Sequence, residues 1–154
     1  MPHIHEKIDW TVDVLIVHED KVLLRKHDKY KVWLMVGGHI ELDEGPEEAA
    51  LREVKEEVGL EVELMSSAPE VSEGEGYREL RVPAFMNIHK INDTHEHLSL
   101  VYFARALSTD IVEGEGEKSD EIRWFTKEEL DDPQYDIKET IRYYAKAALM
   151  AATR

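Results

Sequence analysis

Glu53, Glu56 and Glu57 stand at positions i, i+3 and i+4. On a helix that spacing puts three carboxylates on one face, with Cβ atoms about 5–6 Å apart. Like charges so placed repel each other by a few tenths of a kcal/mol, so the arrangement calls for a cation. Hard oxygen donors on one rigid face suit Mg²⁺, with Mn²⁺ as a substitute. Zn²⁺ fits less well, because it favours His and Cys ligands. A glycine pair, Gly37-Gly38, precedes the acidic segment. Such a pair marks a backbone that turns sharply or approaches something closely, without Cβ interference.

The elements needed to position these groups are legible around them. Gly45 can cap a helix, Pro46 suits its first position, and Glu47 and Glu48 complement the dipole. Ala50, Leu51, Val54 and Val58 form an apolar stripe, and Gly59 is a natural stop, so a helix is predicted from Pro46 to Val58. Before it, strands are predicted at Trp10 to His18, Lys21 to Arg25, Val32 to Val36 and His39 to Leu42. After it come strands at Glu61 to Met65, Val82 to Lys90, Leu98 to Ala106 and Glu121 to Phe125. Ser66 to Glu79 reads as a loop, and Asn92 to His97 as a polar connection. Thr126 and Glu129 are spaced as a capping box, and a C-terminal amphipathic helix starts near Ile137. The pattern predicts an α+β fold in a single domain over 1–154, a mixed β-sheet with helices packed on it.

Composition sets outer bounds. The chain has 154 residues, 34 acidic and 19 basic, for a net charge of −15. That excess argues against gripping a nucleic acid polymer or an anionic membrane surface. Residues 41 to 63 alone carry ten acids against two bases, Arg52 and Lys55. The acidic stretch from Asp110 to Asp120 reads as an exposed, solubilising loop. With no cysteine, disulfides, thiolate metal sites and cysteine nucleophiles are excluded. No apolar run is long enough for a membrane span and no leader is visible, so a cytoplasmic location is expected.

The acidic segment resembles the signature of the Nudix hydrolases. That signature is Gly, five residues, Glu, seven residues, then Arg-Glu-aliphatic-any-Glu-Glu-any-Gly-aliphatic. Here Gly38 and Glu44 are followed by Arg52-Glu53-Val54-Lys55-Glu56-Glu57-Val58-Gly59-Leu60, and every specified position matches. The one departure is Val36, where many members have proline before the glycine pair. The resemblance implies an α/β/α sandwich and hydrolysis of a nucleoside diphosphate linked to another group, with Mg²⁺ as cofactor. It implies metal contacts from Glu53, Glu56, Glu57 and the Gly37 carbonyl. Glu53 is the favoured base, oriented by Arg52, with Glu56 beside it. Gly38, Glu44 and Gly59 are structural in the motif.

Outside the motif the residues leave alternatives open. Glu96 is a second candidate for the base or an exposed acid. Arg25 is a candidate phosphate contact. Tyr77 lies 17 residues after Leu60, where dinucleoside polyphosphate hydrolases tend to carry tyrosine. His95 and His97 form a His-x-His pair in a polar stretch, where solvated rings are expected and no third soft ligand is evident. His3 and His5 read as part of a mobile terminus. The substrate expected is a small nucleotide such as an intact or oxidised nucleoside triphosphate. A dinucleoside polyphosphate or ADP-ribose is the alternative. A non-catalytic nucleotide-binding module is the reading of a different class, and a homodimer is compatible with all of them.

Overall fold

The structure is a computed structural model, and it describes residues 6–65, 74–114, 116 and 118–153. His3, His5 and the first part of the loop expected after Met65 lie outside the described residues. The strands are β1 (Ile8–His18), β2 (Lys21–His27), β3 (Trp33–Leu34), β4 (Val36–His39), β5 (Val62–Leu64), β6 (Phe85–Asn92), β7 (His95–Ala106) and β8 (Ser119–Thr126). The helices are α1 (Pro46–Val58), α2 (Lys127–Leu130) and α3 (Glu139–Ala152).

β1 organises the sheet. Its whole length runs parallel to β7, from Ile8 opposite Glu96 to Val17 opposite Arg105. Its other edge is shared. The N-terminal half pairs with β4, and the C-terminal end turns back into β2. Alternation along β1 then builds two cores. Val12, Val14 and Ile16 pack with Ala50, Val54 and Val58 of α1. Leu15 and Val17 pack with Phe125 and with Ile141, Ala145 and Ala148 of α3. Helices therefore cover both faces of one mixed sheet, the α/β/α sandwich that the motif implied.

Three local expectations are revised. Leu51 is not on the buried stripe of α1, being 45% exposed, whereas Ala49 is fully buried. The stripe runs through 49/50, 53/54 and 57/58, so Glu53 and Glu57 lie on the buried face. The glycine pair makes no turn. It sits inside β4, which pairs with β1 while β3 pairs with β2, so the Val32 to Val36 run is split at Met35 and no strand forms from Ile40 to Leu42. The polar connection between β6 and β7 shrinks to two residues, because Asn92 Oδ1 accepts the Thr94 amide at 2.9 Å and closes a tight Asx turn. His95, Glu96 and His97 are thereby drawn into β7.

The Asp110 to Asp120 stretch is also more than a solvated loop. The Val112 amide donates to Val58 O at 2.9 Å, and the Gly114 amide donates to Glu56 O at 2.9 Å. These donors satisfy carbonyls at the C-terminal end of α1 that the helix itself leaves open. Gly59 closes the same end with φ 69°.

Candidate active site

α1 presents its acidic residues unequally. The Glu53 and Glu57 side chains are 2% and 3% exposed, whereas that of Glu56 is 47% exposed. Burying carboxylates is costly unless cations and donors meet them, and each of the two has its own arginine.

Arg52 is the hub of the first group. Its Nη1 donates to Glu53 Oε1 and to Glu56 Oε2, both at 3.1 Å. Its Nε and Nη2 grip Glu44 at 3.1 and 2.6 Å, and Nη2 also reaches the His39 carbonyl at 3.0 Å. One planar fork thus joins the loop before α1, the helix itself and strand β4. The bidentate bond to Arg52 holds the Glu44 carboxyl below its usual range, and the same bond drives the guanidinium further up.

A stability prediction follows from that pair. Glu44→Gln is expected to cost about 1–2 kcal/mol at neutral pH, the scale of a lost charge-assisted hydrogen bond. In a chain of this size the midpoint of thermal unfolding falls by roughly 2–8 °C. Because Glu44 titrates lower in the folded chain, its contribution is complete above the ordinary value of 4.5 and fades as pH falls below it. Melting curves of both proteins should therefore converge in acid. A gap independent of pH would show that the ion pair is not its origin.

Glu57 is held from the other side. Arg25 Nη1 of β2 bonds to Glu57 Oε2, and the Gly37 amide lies 3.4 Å from Glu57 Oε1. Arg25 is itself fixed by Ser119 Oγ at 2.7 Å and by the Lys118 carbonyl at 3.3 Å.

The glycine pair explains how close β4 comes to α1. A Cβ on Gly38 would lie 2.4 Å from Glu53 Oε1, and one on Gly37 would lie 2.1 Å from the Val12 carbonyl. Close approach, not a turn, is what the pair provides.

Glu53, Glu57, Gly37, Gly38 and Arg25 all border a cavity of about 740 Å³. Its rim carries Lys90, Lys118 and Lys138, and its far wall is formed by Ile141 and Tyr144 of α3. Carboxylates on one wall and ammonium groups on the rim suit an anionic ligand that arrives with divalent cations. The donor set fits a hard ion: two buried carboxylates and one exposed one, beside a strand with no side chain in the way.

Two residues from the sequence reading stand elsewhere. Tyr77 is 54% exposed and bridges to Gly74, off the cavity wall. Glu96 pairs with Ile8 and Lys90, and alternation turns it to the face opposite His95 and His97. Trp33 and Tyr102, aromatics that a base could stack on, are core residues at 4% and 1% exposure.

Other polar residues on the cavity wall escaped the sequence reading: Thr11, Asp13, His39, Asn87 and His89. Asp13 is half-buried on the cavity wall and accepts a hydrogen bond from Ser99 Oγ. Burial pushes its carboxyl above the usual range, while Ser99 and then His89 pull it partly back. The available signal was Asp9 and Asp13 standing in an otherwise apolar strand. His97 also lines the cavity, and burial first, then neighbouring His39, lowers its imidazole to about 4.

Comparisons with known proteins bear on the family and the fold. The family model described as NUDIX domain matches residues 7–146. A curated relative in Lactococcus lactis subsp. cremoris, named as a probable DHNTP pyrophosphohydrolase, is 27% identical over 140 residues, spanning 91% of this chain and 75% of its own length. The crystal structure of a NUDIX family hydrolase from Clostridium perfringens is 37% identical with TM-score 0.81, covering 94% of this chain and 97% of that one. A MutT NUDIX hydrolase from Burkholderia pseudomallei shares the fold at 22% identity and TM-score 0.64, covering 95% and 98%.

Proposed function

The chain belongs to the Nudix hydrolase family, and from that premise we propose that it hydrolyses a phosphoanhydride bond of a nucleoside triphosphate with Mg²⁺ as its cation. The observation that carries this reading is the pair Glu53 and Glu57. Both are buried, both border the cavity, and each is held by its own arginine.

Glu53, Glu56, Glu57 and the Gly37 carbonyl would hold the ions, which neutralise diphosphate charge and acidify bound water when present. The chain's own groups do the rest. Glu53 accepts the proton of the attacking water. Arg52 keeps that carboxylate aimed by its 3.1 Å bond and pins β4 through the His39 carbonyl. Arg25 bonds to Glu57 at the cavity, and from there its guanidinium is placed to receive a substrate phosphate. Lys90, Lys118 and Lys138 draw the polyphosphate to the rim. Phosphoryl transfer needs little more than such positioning and neutralisation. Tyr77 and Glu96 have no role in this scheme, since neither reaches the cavity wall.

The test is a substrate panel with Mg²⁺ or Mn²⁺: intact and oxidised nucleoside triphosphates, DHNTP, dinucleoside polyphosphates and ADP-ribose, read by phosphate or pyrophosphate release. Turnover of a triphosphate is the expected result. Turnover confined to the last two classes would transfer the assignment to them, and no turnover of any class would leave a binding module. Millimolar Mg²⁺ should also raise the melting midpoint by several degrees. Saturation at 100-fold over Kd is worth about 2.7 kcal/mol. An unchanged melting curve would refute a preformed cation site.

A further inference from the structure

We propose that Asp9, His95 and His97, with His39 against Asp9, form a second metal site, selective for a transition ion of the Zn²⁺ class and built from donors other than the carboxylates of α1. Three strands assemble it. Parallel pairing sets Asp9 of β1 opposite His97 of β7, and antiparallel pairing sets Thr11 opposite His39 of β4, bringing His39 alongside Asp9. Asp9, His95 and His39 are 1%, 4% and 7% exposed.

The donor atoms converge. Asp9 Oδ2 lies 3.1 Å from His95 Nε2 and 3.1 Å from His39 Nε2. Ligand atoms of Asp9, His95 and His97 all fall within 4.8 Å of one another, and His39 joins them through its contact to Asp9. The His97 ring stands edge-on to His39 and His95, with centroids 5.0 and 5.5 Å away. A tetrahedral ion with bonds of about 2.0–2.1 Å holds its ligand atoms roughly 3.3 Å apart, close to the two Asp9 spacings.

The surroundings are those of ligating histidines. His95 Nδ1 is 3.2 Å from the Glu6 carbonyl. A ring that donates there leaves the Nε2 lone pair facing the Asp9 oxygen, where a cation bonded to both replaces the hydrogen bond and ion pair that Asp9 and His95 otherwise make. A backbone carbonyl in that place is a common partner of a metal-bound imidazole. Ligand softness separates the two sites. Imidazoles with one carboxylate suit Zn²⁺, Ni²⁺ or Cu²⁺, whereas the all-carboxylate helix suits Mg²⁺. Because His39 also gives its carbonyl to Arg52 at 3.0 Å, an ion here would brace the strand that carries Gly37 and Gly38.

The test uses the full chain with His3→Asn and His5→Asn, which removes the other His-x-His pair from competition. This parent is dialysed against Zn²⁺ with excess Mg²⁺ and its metal content measured. One Zn²⁺ per chain is expected, retained when Glu57→Gln is added. His97→Gln, at a partly exposed position, should weaken Zn²⁺ binding by at least about 10-fold, a ligand being worth no less than its supporting shell. It should also abolish the tetrahedral visible bands given by Co²⁺ in the parent. The Zn²⁺-induced rise of the melting midpoint should vanish with them, a readout that applies even if an additional His95→Gln variant fails to fold. No Zn²⁺ in the parent, equal binding in His97→Gln, or loss of binding with Glu57→Gln would overturn the proposal. The first outcome would leave Asp9 and its histidines as an ion-paired latch.

Discussion

Glu53→Gln is expected to lower kcat by at least ~100-fold while leaving the fold intact. The substitution keeps shape and keeps an oxygen for Arg52 Nη1, now 3.1 Å away. It removes a negative charge and a base from a side chain that is 2% exposed at the cavity. A lost general base or electrostatic group costs on the order of 10²–10⁴ in rate. Arg52 retains Glu44 and Glu56, so its charge is still compensated and the melting midpoint should change little. Glu57→Gln should be comparably slow, with an added effect through Arg25. Glu56→Gln, at an exposed position, should be milder. Steady-state kinetics on whichever substrate the panel identifies, paired with melting curves, would decide. Wild-type rates for Glu53→Gln would refute the assignment of the base.

Gly38→Ala should separate activity from stability. Its Cβ would fall 2.4 Å from Glu53 Oε1 and 2.5 Å from Glu53 Cδ. The obstacle is the end of a side chain, so the carboxylate can swing aside for roughly 1–2 kcal/mol. Activity has no such tolerance, since a misplacement of about 1 Å can cost ~100-fold in rate. Gly37→Ala should behave oppositely. Its Cβ would meet the Val12 carbonyl at 2.1 Å and Asp13 Cα at 3.0 Å, both backbone atoms. β4 must then part from β1, at a cost of ~3 kcal/mol or more. Its melting midpoint should drop by at least ~6 °C. If Gly38→Ala lost stability and Gly37→Ala lost only activity, the roles of the two glycines would have to be exchanged.

The acidic helix was legible in the sequence because its signals are local. Cap, proline, first-turn acids and terminal glycine all act within a few residues, and the spacing 53, 56, 57 is helical arithmetic. The capping box at Thr126 and Glu129 was legible for the same reason, and both of its bonds are present, at 3.2 and 3.0 Å. The apolar pattern predicts β6 from Val82, but the strand starts at Phe85, since Pro83 lacks the amide a strand pairing needs. Periodicity of 3.6 residues alone leaves the edge of a stripe undecided, which is why it predicts Leu51 inside while the residue is exposed. Only packing on β1 settled that Ala49, Glu53 and Glu57 face inward.

What the sequence determined by itself was therefore the acidic helix, the spacing of its carboxylates and the family that carries both. The pattern is contiguous, and helix geometry converts spacing directly into position. The tertiary structure decided everything that depends on strand register. It assigned Arg25 to Glu57, put Gly38 against Glu53, and left Tyr77 and Glu96 off the cavity wall. It also gathered Asp9, His39, His95 and His97 from three strands. Residues 86 positions apart, such as Asp9 and His95, meet only through the pairing of β1 with β7, and no local signal encodes that pairing.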